Sequence, residues 1–302
     1  MNTKFFYFAA AAMMLAACSN DESVNEVAND NIISLTAGIG AQTRATLTDA
    51  EAQNTQFESG KTILVEAYKK DAADTYTTGN YTTGSDGAMT GSLYYPATGE
   101  NIDICAYYPS TVSSSSTSFD VGADQTTAEL YQSYDLMYAT KLTDKAKGNT
   151  HALSFNHALS KIIVTITNGN GVTESDVTSN VTAVKINNTL PTAGFTITAG
   201  AIGSITASGT AADIDITGTT MTSHAGIIVP QTITATTDNK VNFITVTYNG
   251  NDYSYKLSAD KTFEAGKVYT YALTLSAAGI SLSSSSISSW TEGVGASETI
   301  TL

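Results

Sequence analysis

Between Leu153 and Leu275 the chain is a succession of short apolar, β-branched segments broken at close intervals by turn residues. Leu153 to Thr167 ends in I-I-V-T-I-T, in which Ile162, Val164 and Ile166 alternate with Ile163, Thr165 and Thr167. That run predicts a central, largely buried strand. Further strands are predicted over Val181 to Ile186, Gly194 to Ala199, Ile202 to Ala207, Ile214 to Ile216, Ile227 to Val229, Val241 to Tyr248, Tyr253 to Leu257 and Val268 to Leu275. Asn187-Asn188, Gly218, Asp238-Asn239, Asn249-Gly250-Asn251 and Gly266 mark turns between them. Many short strands with turns at this spacing fold into a β-sandwich. Helical periodicity is absent from this half.

The preceding half has the same habit with more tyrosine. Lys61 to Tyr68 predicts a strand, and Gly79, Gly84, Gly87 and Gly91 predict hairpin turns beyond it. Tyr94-Tyr95-Pro96 returns thirteen residues later as Tyr107-Tyr108-Pro109, with Ile102, Ile104, Ala106 and Tyr108 on one alternating face between. Leu130 to Leu142 reads as another strand with its approach, and Thr111 to Ser118 as an exposed loop. Strand tyrosines are packing residues with a wet hydroxyl or, in a patch, a stacking surface for glycans. The polar, lysine-bearing stretch Lys141 to Thr150 predicts a boundary near Gly148, giving domains over 32–148 and 149–302. A chain of 302 residues accommodates two domains with real cores.

Charge narrows the function. The balance is −14, from 14 Lys+Arg against 28 Asp+Glu, so nucleic acid is not an expected partner and the folded body has no attraction to anionic membrane surfaces. His151, His157 and His224 lack metal-ligand spacing, and no nucleophile elbow or phosphate loop occurs. No enzyme activity, metal or cofactor is expected.

The first thirty residues read as an address. Lys4 precedes an apolar run of eleven residues, Phe5 to Leu15, too short to span a membrane. Leu15-Ala16-Ala17-Cys18 has the form of a lipobox, which makes 1–17 a signal peptide and Cys18 the lipidated first residue. An ordinary secretory signal with a chance cysteine is the other reading. Residues 18–31, with Asp21, Glu22, Glu26 and Asp30, form an acidic tether. This acidic run resembles the surface-export signal of lipoproteins in some Gram-negative anaerobes, which implies passage outward across the outer membrane. With Cys18 acylated, Cys105 has no intramolecular partner, so the fold forms without disulfides.

Directly after the tether, Ile33, Leu35, Ala37 and Ile39 share one parity, and Ser34, Thr36 and Gly38 the other. This is a strand with one buried face. Five residues beyond Ile39 stands Arg44, the only arginine; the remaining thirteen of the 14 Lys+Arg are lysines. Arg44-Ala45 reads as a site for an Arg-specific protease or as a solvated loop charge. At the far end Ile280 and Leu282 alternate with serines, and Val294, Ile300 and Leu302 continue the apolar pattern to the last residue. A strand at a free end needs a groove, its own or a neighbour's. Trp290, the only tryptophan, is expected in the core.

Taken in order, L-A-A-C at 15–18, the strand and T-R-A at 32–45, F-E-S-G-K at 57–61, Y-Y-P at 94–96 and D-I-C-A-Y-Y-P at 103–109 resemble the fimbrillins, pilins exported as lipoproteins. The resemblance continues through D-L-M-Y-A at 135–139, F-N-H-A-L-S-K-I at 155–162, I-I-V-P-Q at 227–231, F-E-A-G-K-V-Y-T-Y at 263–271 and I-S-S-W at 287–290. It implies an all-β chain of two tandem transthyretin-like β-sandwiches. It also implies polymerisation by strand exchange. A cut after Arg44 releases the strand bearing Ile33, Leu35, Ala37 and Ile39, and a donor strand from another fimbrial subunit fills the groove. The donor is expected within 280–302, with Ile280, Leu282, Val294, Ile300 and Leu302 as its apolar residues. A monomeric surface lipoprotein or tip adhesin, binding glycan or a host protein, is the rival expectation.

Overall fold

A computed structural model describes residues 31–39, 57–70, 72, 74–218, 223–235, 240–290 and 298–299. Cys18, Arg44, Ala45, Val294, Ile300 and Leu302 lie outside the described residues. The fold is all-β, as the alternation predicts. The described residues belong to one compact unit, Asn31–Leu302.

The first half contributes β1 (Ser34–Ile39), β2 (Thr62–Lys69), β3 (Thr75–Thr83), β4 (Ala88–Thr90), β5 (Ile102–Tyr108), β6 (Ser118–Asp120), β7 (Met137–Ala139), β8 (Leu142–Lys145) and β9 (Thr150–His157). All but β6 form one sheet in the order β2-β3-β4-β1-β9-β7-β5-β8, and β2 also pairs with β5. That last ladder closes seven strands into a ring, with β8 attached outside it. The ring interior holds Ile33, Leu35, Ala37, Ile39, Phe57, Ile63, Val65, Tyr81, Ile104, Met137 and Phe155 in one cluster. Leu130 to Leu142 is not a single strand. Ala128–Ser133 forms a short helix, α1, because Thr127 caps it by accepting from the Leu130 amide, and the chain becomes extended only at β7.

The second half begins with β10 (Ser160–Asn168), then α2 (Glu174–Asn180), opened by a capping box between Thr173 and Asp176. There follow β11 (Val181–Thr189), β12 (Thr192–Gly194), β13 (Ile197–Thr198), β14 (Ala201–Ile202), β15 (Thr206–Ser208), β16 (Ala212–Asp215), β17 (Ser223–Ile228) and β18 (Gln231–Ile233). The chain closes with β19 (Val241–Tyr248), β20 (Asn251–Leu257), β21 (Lys261–Phe263), β22 (Lys267–Ser276), β23 (Gly279–Ser289) and β24 (Glu298–Thr299). Two sheets, β17-β10-β22-β23-β24 and β16-β11-β19-β20, share a core that includes Ile162, Val164, Ile166, Ile186, Phe243, Tyr271 and Leu273. β22 alternates cleanly, burying Tyr269, Tyr271, Leu273 and Leu275. Asn249 and Gly250 both take positive φ, 50° and 73°, which matches the twist of a tight hairpin between β19 and β20.

Gly148 lies between β8 and β9, which both belong to the first sheet; apart from β6, the chain leaves that sheet at Ala158-Leu159. Residues of the first half also enter the core of the second. Every residue of β5 is buried. Ile102, Ile104, Ala106 and Tyr108 face the ring interior, while Cys105 and Tyr107 join the core of the second half. β6 extends across as well, pairing antiparallel with β12.

Candidate functional site

β1 is a strand whose seat is built by neighbours far away in sequence. On one side it runs parallel to β9 over six residue pairs, from Ser34 beside Thr150 to Ile39 beside Phe155. On the other, only Leu35 and Thr36 pair, antiparallel, with Met89 and Ala88 of β4. Loop contacts extend that side: the Ile33 amide donates to the Leu93 carbonyl, the Ala37 amide to the Gly87 carbonyl (both 2.8 Å), and the Tyr95 amide to the Asn31 carbonyl (2.7 Å). The Tyr81 hydroxyl donates to the Ile33 carbonyl at 2.8 Å. Burial pushes the pKa of that hydroxyl up to about 12.

Two glycines make this geometry possible. A Cβ on Gly91 would stand 2.5 Å from the Tyr81 ring, so glycine is what lets that ring lie against the chain. Gly87 has φ of +80°, and its Cβ would meet the Ala37 carbonyl oxygen at 2.9 Å.

The inward side chains of β1 are sealed. Ile33 is 0 % exposed, Ala37 1 %, and Leu35 and Ile39 2 % each. Full burial of a large apolar side chain contributes about 1.5–3 kcal/mol, so Ile33, Leu35 and Ile39 together contribute about 5–9 kcal/mol as an upper bound. That is the size of a whole domain's net stability, about 5–15 kcal/mol. A seat emptied of β1 would therefore leave a deep apolar slot and two unpaired ladder edges, which is a strongly adhesive surface.

Covalent connection is the other half of the site. From Ile39 the sequence runs through 40–56 to Phe57, whose ring meets those of Phe155 and Tyr108 edge-on at 4.9 and 5.5 Å. Arg44 lies within that passage. Any cut there leaves β1 attached to the body by non-covalent contacts alone.

Of the suggested donor residues, Ile280 and Leu282 lie on β23, half-buried and paired with Leu275 and Leu273 of β22. They pack against the second core. Among the described residues the outer edge of β23 is paired only at Ser286 and Ile287, by β24.

Sequence reasoning left one cluster unassigned. Asp135, His157 and Trp290 come together from three of the resembling motifs. The Nδ1 of His157 lies 2.8 Å from an Asp135 carboxylate oxygen, with both side chains fully buried. The imidazole lies flat on the Trp290 indole, with centroids 3.8 Å apart and planes 3° from parallel. Histidine followed by tryptophan at a remote position is the kind of signal only the folded chain explains. Tyr95 and Tyr107 are buried as packing residues, whereas Tyr94 is 44 % exposed.

An all-β chain whose first described strand is buried between partners remote in sequence belongs among sheet-built proteins completed by a non-local strand. The chain belongs to the fimbrillin-like family, whose model matches residues 43–290. It is 28% identical over 304 residues to Fim1C of Bacteroides uniformis, named for a fimbrium subunit, covering 95% of this chain and 94% of that one. It is also similar to a crystal structure described as that of a cell adhesion protein from Bacteroides uniformis, with TM-score 0.64 and 25% identity over 87% of this chain and 99% of that one. The tip fimbrial protein Mfa3 of Porphyromonas gingivalis shares the fold at TM-score 0.51 and 12% identity, over 85% of this chain and 99% of that chain.

Proposed function

We propose that this chain is a structural subunit of a surface fimbrium, exported as an outer-membrane lipoprotein acylated on Cys18 and joined to other subunits by strand exchange. An Arg-specific protease cuts after Arg44, exposing Ala45. The segment bearing Ile33, Leu35, Ala37 and Ile39 then leaves, and a strand from another fimbrial subunit takes its seat. The donor comes from 280–302; in the free subunit Ile280 and Leu282 rest in their own sheet. The observation that carries this reading is the position of β1: sealed into the ring, it connects to the body only through the passage that holds the sole arginine. Donor-strand addition restores ladder hydrogen bonds and apolar burial together. Donor and seat are different surfaces of one chain, so the contact is heterologous and propagates.

The test is intact mass and size before and after treatment with an Arg-specific protease. The expected outcome is loss of the segment ending at Arg44 and a ladder of oligomers. A resistant Arg44 and a lasting monomer would favour the second reading, a monomeric surface lipoprotein or tip adhesin for glycan or host protein, for which the exposed rings of Tyr76 and Tyr94 are the supporting feature.

A further inference from the structure

The strand that seats β1 is also the strand that touches the start of the C-terminal segment. β9 pairs with β1 from Thr150 to Phe155, and its final residue, His157, stacks on Trp290, the residue directly after β23. From this we infer that the Asp135–His157–Trp290 stack is a clasp linking the two ends of the chain: seated β1 holds Trp290 in place, and departure of β1 loosens it. The inference rests on the strand-exchange reading above and adds an order of events, in which the C-terminal segment is held back until the seat is empty.

Three features support the coupling. β9 depends on β1 for most of its pairing. Its ladder with β7 reaches only from Phe155 to His157, supplemented by the Thr140 amide donating to the Ser154 carbonyl at 3.0 Å. Without β1, Thr150 to Leu153 have no ladder partner among the described residues, and β9 is left fixed by the residues that end at the clasp.

Next, Trp290 is tied into that same corner. Its amide donates to the Gly266 carbonyl at 2.9 Å, and the Gly266 amide donates to the Leu159 carbonyl at 2.8 Å, two residues beyond His157. A shift of β9 therefore reaches Trp290 through its ring and through its backbone.

Finally, the clasp is built with little polar reserve. The second carboxylate oxygen of Asp135, the Nε2 of His157 and the Nε1 of Trp290 are buried and have no hydrogen-bond partner among the described residues. Buried polar groups left without partners destabilise the packing they sit in, so this corner is held by its surroundings more than by its own bonds.

Trp290, as the sole tryptophan, reports on its own contact. The full chain is cut with an Arg-specific protease at a dilution too low for association. Trp290 emission and its quenching by acrylamide are followed while size exclusion and mass record whether the segment ending at Arg44 has left. The expected result is a red shift and a severalfold rise in quenching that track loss of the segment. Leu35→Asp, which unseats β1 without a cut, should produce the same change in uncut protein that keeps its far-ultraviolet β spectrum. Loss of the segment with Trp290 emission and quenching unchanged overturns the clasp and leaves strand exchange standing. Retention of the cut segment overturns the exchange reading, and the clasp with it.

Discussion

Tyr81 shows how much one side chain decides. Its hydroxyl is buried and donates to the Ile33 carbonyl, at the mouth of the seat. Its pKa is raised from 10.0 to about 12, so the unfolded chain gives up this proton before the folded one does. The contribution of Tyr81 is therefore complete below about pH 10 and is lost as the pH rises through about 12. The stability of the uncut protein, read from denaturant midpoints, should fall as the pH rises through that window. Tyr81→Phe should remove the window and cost about 1 kcal/mol at neutral pH, read from denaturant midpoints. None of this is visible in the sequence, because the partner carbonyl lies 48 residues away. The parity of Ile33, Leu35, Ala37 and Ile39 was legible, because a half-buried strand writes its burial directly into alternation. The His157–Trp290 stack was not, since stacking has no local spacing rule.

Among the elements, the informative discrepancy lies at Leu153 to Thr167. The alternation runs almost unbroken through this stretch, yet the chain leaves the first sheet at Ala158-Leu159 and enters the second as β10. Both strands bury one face, and period two does not register which core a face is buried in. The strand expected with its approach over 130–142 is β7, and the approach is helical. A six-residue helix, capped by Thr127 and burying Tyr131 and Gln132, is too short to show a helical period. β1 itself follows the simple rule, and its energetics can be tested accordingly. Leu35→Ala deletes most of a side chain that is 2 % exposed, at a cost of about 2–5 kcal/mol for a core site. After cutting, the variant segment should leave faster than the native one by chromatography, while far-ultraviolet spectra of the uncut proteins agree. Equal release rates would mean that burial of Leu35 does not set the pace.

The whole molecule is organised around closure. Seven strands complete a ring, and β1 sits in it with a long ladder to β9 on one side and a short one to β4 on the other. A ring lacking one strand has two open edges and an apolar slot, so anything that fits the slot stabilises the body by mass action. A synthetic peptide of residues 32–40 added to the cut, segment-free protein should raise its thermal midpoint with peptide concentration. It should also shorten the oligomer ladder by competing for the seat. A peptide with Leu35→Asp should do neither. The polar stretch Lys141 to Thr150, from which the boundary near Gly148 is read, holds β8 and its exposed connection to β9, and both strands belong to the first sheet.

The ladder between β1 and β9 is parallel. A guest that reproduces this same ladder enters with its amino end where β1 has its own; a reversed guest would replace it with an antiparallel ladder of different hydrogen-bond pattern. On the strand-exchange reading, each junction in an assembly then has the same sense, like arrows laid head to tail. The assembled thread has two chemically different ends, one offering a vacant slot and the other an unused strand. Growth and arrest are then decided separately at each end, by whichever molecule meets it.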